Sequence, residues 1–521
     1  MSQINAFRSL AATLLVSIVM VGQVSAQQTY GRTEFQASGS PKAHEVFLTG
    51  LLQLHNFEFD DARASFQEAL SIDRNFTMAY WGEALSYEYS FWREYDTEAS
   101  RAVLSRLGAT PEERASKAQT AREKAYLHTV EILFGEGSQQ EREVGYSAAL
   151  RRLHEQYPED LDAAAFYALS ILITTYDGRD AARYMRAAAI TEEILDKNPV
   201  HPGALHYNIH SYDDPVHAPL GLRAAGNYVN VAPSAVHALH MGAHIYYALG
   251  MWEEGTDRNI RAFEEAVARQ ASPDDPYGGQ AYHALTWLIY GLPQLGKREE
   301  ARRRLALIEQ QVERYGDDDP VHRQHYVATR ASYIVDTQEW DSYYADVEIG
   351  HDGLRLDSIA TDYYVQGLVA LNRGDRSKAR AALAAMGSED SVMNPERSRP
   401  ERSVMVPRLL RLALEGQIEL VAGHANNSLA LIEQAVELEA GLPFGNGPAV
   451  PVQPMAELLA DTYLTLGDHR MAQKYYELSL QRSVGRERSR LGLGEATRQL
   501  QLTRLSNGAD PLPLQGITTS R

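Results

Sequence analysis

A pattern of small and large apolar residues recurs along this chain at the length of a helical hairpin, and it restricts the fold more than any other feature. Gly50, Ala62, Phe66 and Ala69 stand at offsets of 0, 12, 16 and 19 residues. Small residues at such positions let two antiparallel helices approach closely, and the aromatic ring fills the space opposite them. Ala79-Tyr80 with Ala84 and Tyr87 opens a second unit, and Tyr157-Pro158 with Ala163-Ala164 and Ala168 opens another. Pro199 and Pro233 lie 34 residues apart, each separating one hairpin from the next as a residue that cannot continue a helix should. Leu249-Gly250, Leu295-Gly296, Arg373-Gly374-Asp375 and Leu466-Gly467 supply turns inside the pairs. No segment alternates with period 2 for long, so almost no strand is expected.

The period and these positions resemble the tetratricopeptide repeat (TPR), with Gly50, Ala62, Phe66 and Ala69 on its signature residues. The resemblance implies an all-α fold, a right-handed α-solenoid of TPR-like helix pairs, with a division into two lobes expected near residue 390. The array is expected over residues 27–386, followed by a polar, Pro-containing loop at 387–402. Further TPR-like helices are expected over 403–505, broken by a Pro- and Gly-rich crossing from Gly441 to Pro454, and a flexible tail over 506–521.

The first 26 residues read as a secretory signal peptide: Arg8, an apolar run from Leu10 to Val21, then Val24-Ser25-Ala26 as the cleavage site. That run is shorter than the ~20 residues a membrane-spanning helix needs, so a periplasmic or secreted protein without a membrane span is expected after cleavage. The formal charge of −19, with 50 Lys and Arg against 69 Asp and Glu, argues against nucleic acid as a partner. With no cysteine, thiolate metal sites and cysteine nucleophiles are excluded.

Histidine is unevenly placed: seven of the 17 fall between His201 and His244. Two HxxxH pairs stand out, His206 with His210 and His240 with His244, and the pairs are themselves 34 residues apart. Residues four apart share a helix face, so each pair could grip one metal ion. Imidazoles without sulfur suit zinc or copper, and an added carboxylate such as Asp213, as ligand or as orienting partner, would admit iron. The TPR resemblance implies that all four imidazoles face the concave groove, with His237, Asp213, Asp214 and, in the first repeat, His44 and His55 also at groove-lining positions. The Leu-Gly turns align His283 with His237, each 46 residues from its counterpart.

Other chemistry is missing from the sequence. Neither HxxxH carries the Glu of a zinc protease, and there is no GxSxG elbow, P-loop or dinucleotide fingerprint. Glu83 and Glu88, beside Trp81, Tyr87 and Trp92, are the best candidates for a general base, and no catalytic residue is assigned. Trp81, Glu83, Tyr247 and Tyr290 are expected to line the groove; the 29 Tyr against 12 Phe suit a surface that stacks and donates hydrogen bonds. Several blocks, including Leu54 to Ala62, Ala79 to Ala84, His201 to Asp213, Ala232 to His244, His283 to Trp287 and Leu491 to Gly494, resemble a group of exported bacterial TPR proteins. The chain departs from that group's pattern at Tyr87-Glu88-Tyr89, where Asn-His is usual. Two functions fit these residues: a His-rich transition-metal site (zinc, copper or iron) in the groove, or a peptide- or protein-binding scaffold with neither metal nor catalysis.

Overall fold

Phe66 shows how the repeats assemble. In the computed structural model the chain enters helix α1 (Pro41–His55), returns through α2 (Phe59–Ile72) and continues into α3 (Thr77–Leu85). A Cβ added to Gly50 on α1 would lie 2.9 Å from the Phe66 ring, and one on Gly82 of α3 would lie 2.5 Å from it. One fully buried ring therefore packs against two flanking helices only because both present glycine.

The structure describes residues 29–89, 91, 94–176, 178–387, 400–442, 447–449 and 452–506. A two-residue hairpin, β1 (Glu88–Tyr89) and β2 (Glu94–Tyr95), follows α3. Next come α4 (Thr97–Leu107), α5 (Pro111–Lys117), α6 (Ala121–Leu133), α7 (Gln139–Gln156), α8 (Leu161–Ile173) and α9 (Ala181–Lys197). The middle of the chain forms α10 (Pro202–Tyr212), α11 (Ala218–Val231), α12 (Val236–Ala248), α13 (Trp252–Ala268) and α14 (Gly279–Gln294). Beyond it lie α15 (Arg298–Tyr315), α16 (Pro320–Thr337), α17 (Tyr343–Asp346), α18 (Leu356–Asn372) and α19 (Arg376–Ala385). The last five are α20 (Pro400–Val421), α21 (Ala425–Ala440), α22 (Met455–Thr465), α23 (His469–Arg482) and α24 (Glu487–Ser506). These 24 helices of the described residues, each packed on its neighbours in sequence, form an all-α solenoid.

Side-chain caps start many of the helices. Asp96, Thr110, Asp160, Asp180, Asp375 and Asp468 each accept a backbone N–H, and Thr120 with Glu123 and Ser138 with Glu141 form full capping boxes. The expected turns end the first helix of a pair in left-handed backbone, with φ of 71° at Gly250 and 70° at Gly296, where a side chain would be strained. The same turn recurs at Gly374 and Gly467.

The core does not divide near residue 390. One apolar cluster runs from Phe35 to Tyr246 and a second from Val229 to Ala496, so they meet at α11 and α12. On either side of the polar segment α18 and α20 pack directly, with Gly367 against Leu414. Pro400, Glu401 and Arg402, expected in the loop, open α20. A polar insertion can leave a core without interrupting it. The signal segment 1–26, most of the polar loop (388–399) and the tail beyond 506 fall outside the described residues. Among the described residues no helix is long and apolar enough to cross a membrane.

Irregular segments tie distant helix starts together. Arg32 N donates to the Val200 carbonyl at 3.0 Å and Ser234 N to the Thr29 carbonyl at 3.1 Å, which lays residues 29–36 across the starts of α10 and α12. At the other end Trp252 Nε1 donates to the Gly485 carbonyl at 3.1 Å, drawing the start of α24 back onto α13.

Candidate metal centre

The start of α10 is fixed by Pro202 at its first turn and by His201, whose Nδ1 accepts the Ala204 N–H at 3.2 Å. Every residue of α10 is buried, as are all but the last of α12. Their polar side chains must therefore find partners inside the protein. Four residues apart on each helix, the paired histidines project to one side. His206 and His210 have ring centroids 5.0 Å apart, and His240 and His244 4.9 Å apart.

Two three-histidine sets result. His206, His210 and His237 bring one nitrogen each within 4.8 Å of one another, and so do His240, His244 and His283. The sets touch: His210 to His244 is 5.3 Å and His237 to His240 is 6.0 Å between centroids. All of these rings except His283 are at most 5 % exposed. Asp213 joins them at the end of α10, where its carboxylate accepts from His244 Nδ1 and lies 4.0 Å from His210 Nδ1. Asp214 plays a different part, shaping the turn through Arg179 and His217.

Hydrogen bonds fix where the protons sit. His206 Nδ1–H donates to the His55 carbonyl at 2.8 Å. His244 Nδ1–H donates to Asp213. Asn259 on α13 directs its amide N–H to the Gly255 carbonyl, so its Oδ1, 2.6 Å from His240 Nδ1, is the acceptor there. In a neutral imidazole with Nδ1 protonated, Nε2 carries a bare lone pair. With both rings neutral, His240 and His244 face each other with Nε2 lone pairs 2.9 Å apart. His206 Nε2 offers its lone pair 3.1 Å from His237 Nε2. Both nitrogens of buried His210 lack any hydrogen-bond partner.

Five of the six rings resist a proton. Burial, reinforced by neighbouring imidazoles, pushes His206 and His283 down to about 3 and His210, His237 and His240 well below the ordinary histidine value. Neutral rings with Nδ1 anchored on oxygen acceptors and Nε2 turned inward are the form in which histidine ligates a metal. Two nitrogens 2.9–3.1 Å apart, each about 2.0–2.1 Å from one ion, would subtend roughly 90–100° there, as adjacent ligands do.

Aromatic residues enclose the cluster. Phe57 lies 4.3 Å from His206, Phe91 of the hairpin stacks on His210 at 4.0 Å, and Trp287 lies 4.4 Å from His244. Sequence reasoning missed Phe57, Phe91, Asn259 and the His55 carbonyl, which come from outside the two HxxxH helices. In a third group, His55 with Asp162 and His201, hydrogen bonds tie His55 to Asp162, while His201 Nε2 lies 3.5 Å from that carboxylate without a hydrogen-bond partner. Asp162 accepts from His55 Nε2–H at 2.9 Å and from Thr33 Oγ1 at 2.7 Å, and Tyr207 O–H donates to His55 Nδ1 at 3.0 Å. His44 stands apart, 2.7 Å from the Phe35 carbonyl.

The residues expected on an open groove are inside the protein. Trp81 is fully buried among Phe35, Tyr126 and Phe166. Buried Glu83 accepts from Arg106 at 2.8 Å and Gln67 at 3.0 Å. Tyr247 stacks on Trp287, and Tyr290 packs edge-on to Trp252. Trp92 lies outside the described residues.

A tetratricopeptide-repeat profile matches residues 455–483. No curated protein matches the sequence. Among solved structures the chain is similar to the APC/C hetero-tetramer Cut9–Hcn1 (14% identity, 90% of this chain and 79% of that one, TM-score 0.35). It is also similar to the human IFIT1 dimer with m7Gppp-AAAA (12% identity, 88% and 92%, TM-score 0.40). A third likeness is to yeast Tom70 (13% identity, 89% and 96%, TM-score 0.33). The helix pairs and the matched repeat at 455–483 make this a protein of TPR-like helical-repeat fold.

Proposed function

We propose that this chain is a helical-repeat scaffold built around a buried transition-metal centre, held by His206, His210, His237, His240, His244 and His283. The observation that carries the reading is the pair of Nε2 lone pairs of His240 and His244, 2.9 Å apart, with both Nδ1 protons committed to Asn259 and Asp213. Two lone pairs facing each other in a dry interior are unfavourable without a cation or a proton between them. Burial resists a proton at His240, whereas a metal ion offsets the same desolvation by taking several lone pairs at once. An all-imidazole donor set suits copper or zinc, and iron if Asp213 were recruited. Protein purified from a metal-replete culture should contain bound metal, and the pair His206→Ala and His240→Ala together should remove it. Metal-free wild type under those conditions would contradict the proposal.

Export belongs to the same proposal and rests on residues 1–26 alone; the N-terminus of the mature protein, read by mass spectrometry, would begin at Gln27. Partner binding is the second reading, favoured by Leu502 and Leu505, which stand exposed one turn apart on α24. A partner bound there would survive chelation and be lost on Leu502→Asp, whereas the metal would not respond to that change.

A further inference from the structure

The six histidines are more ligands than one ion takes from protein imidazoles, and the structure divides them evenly. His206, His210 and His237 converge on one point, and His240, His244 and His283 on another. Within each set the closest nitrogens are 3.1 and 2.9 Å apart. By ring centroid the sets abut, His210 to His244 being 5.3 Å against 4.3–6.4 Å within a set, so the division lies in the ligand nitrogens. The two sets are also equivalent by repeat: each combines an HxxxH pair on one helix with a single histidine from the start of the next first-helix position, His237 on α12 and His283 on α14.

From this division we infer that the centre is dinuclear, each ion held by three imidazoles, with a small oxygen donor such as water or hydroxide bridging the pair. The inference rests on the metal-binding reading above and extends it. Three protein ligands leave a position open on each ion, which is the arrangement of sites that exchange a ligand rather than of closed structural sites. Paired ions that share a bridging ligand sit about 3.5–4 Å apart, a separation compatible with rings meeting across α10 and α12. His210 fits the boundary: it is buried, neither of its nitrogens has a hydrogen-bond partner, and it groups with Asp213 and His244 as well as with its own set. Phe57, Phe91 and Trp287 crowd the rings, so the exogenous ligand is expected to be of the size of hydroxide or azide.

Full-length protein stripped with chelator and titrated with copper(II) or zinc(II) alone tests this. Elemental analysis after desalting should give two ions per chain, and His237→Gln and His283→Gln should each give one. Copper(II)-loaded wild type should show an EPR signal well below two spins through coupling across the bridge, while each variant should show about one full spin. Circular dichroism of the stripped variants guards against misfolding. Should one of them misfold, the other variant and the wild-type spin count still decide. One ion in the wild type, lost in either variant, would overturn the dinuclear inference and leave the metal site standing. Two ions untouched by either variant would overturn it by placing the metal elsewhere. No bound ion would overturn both.

Discussion

Asn259→Leu separates a ligating histidine pair from a merely buried one. Asn259 Oδ1 is what forces the proton onto His240 Nδ1, at 2.6 Å. Leucine has nearly the same shape and no acceptor, so the freed imidazole can move its proton to Nε2 and donate to His244 Nε2, now 2.9 Å away. The metal-free protein then exchanges the His240–Asn259 bond for a His240–His244 one and loses the Asn259 N–H bond to the Gly255 carbonyl, a net cost of about 1 kcal/mol. Metal binding, by contrast, must first reverse the tautomer. Losing such an orienting partner weakens affinity by about 10- to 100-fold. With free metal at about 100 times the wild-type Kd, binding stabilises wild type by about 2.7 kcal/mol, and the variant by only about 0.4–1.4 kcal/mol. Urea denaturation with and without chelator, alongside competition titration, reads both quantities. A variant that kept wild-type affinity, or lost several kcal/mol without metal, would refute the tautomer argument.

Acid should act on His206 in a direction fixed by linkage. Its folded value of about 3 lies below the ordinary 6.5, so below pH 6.5 the unfolded chain binds a proton the folded chain refuses, and stability falls. Glu58 and Glu439, pushed up to about 7 by burial, act oppositely, gaining stability on acidification, so the quantity to measure is a difference. Between pH 7 and 5, chelator-stripped wild type should lose about 2 kcal/mol more than His206→Asn in urea denaturation; equal losses would contradict this. Gly203→Ala would place a Cβ 2.3 Å from His55 Nδ1. Displacing that ring should cost about 1–3 kcal/mol and weaken metal binding through the His55 carbonyl, both seen in the same titrations. Arg486→Met should cost about 3–5 kcal/mol in chemical denaturation, because buried Glu457 and Asp336 lose the guanidinium that Glu457 meets at 2.8 Å. A loss under about 1 kcal/mol would mean those carboxylates are paired elsewhere.

The repeat was readable because it is periodic. Phe66 between Gly50 and Gly82, and the left-handed turns at Gly250 and Gly296, follow from residue size and position alone. The 34-residue echo of one HxxxH by the next placed four imidazoles together for the same reason. What lacked a period stayed hidden. Residues 29–36 cross the starts of α10 and α12, while Phe91 of the hairpin and Phe57, with its φ of 57°, pack on the histidine rings. Trp81 and Tyr247, expected to meet a ligand, meet these segments and neighbouring helices. Asn259 and the His55 carbonyl were equally out of reach, since their role depends on which helix packs behind α10 and α12 and not on any spacing along the chain.

X-ray absorption at the edge of the metal that copurifies addresses the centre most directly. The account expects a first shell dominated by imidazole nitrogen at about 2.0–2.1 Å, with the outer-ring scattering that several histidines produce. A shell of oxygen alone, or an imidazole signal unchanged in the His206→Ala, His240→Ala pair, would contradict it.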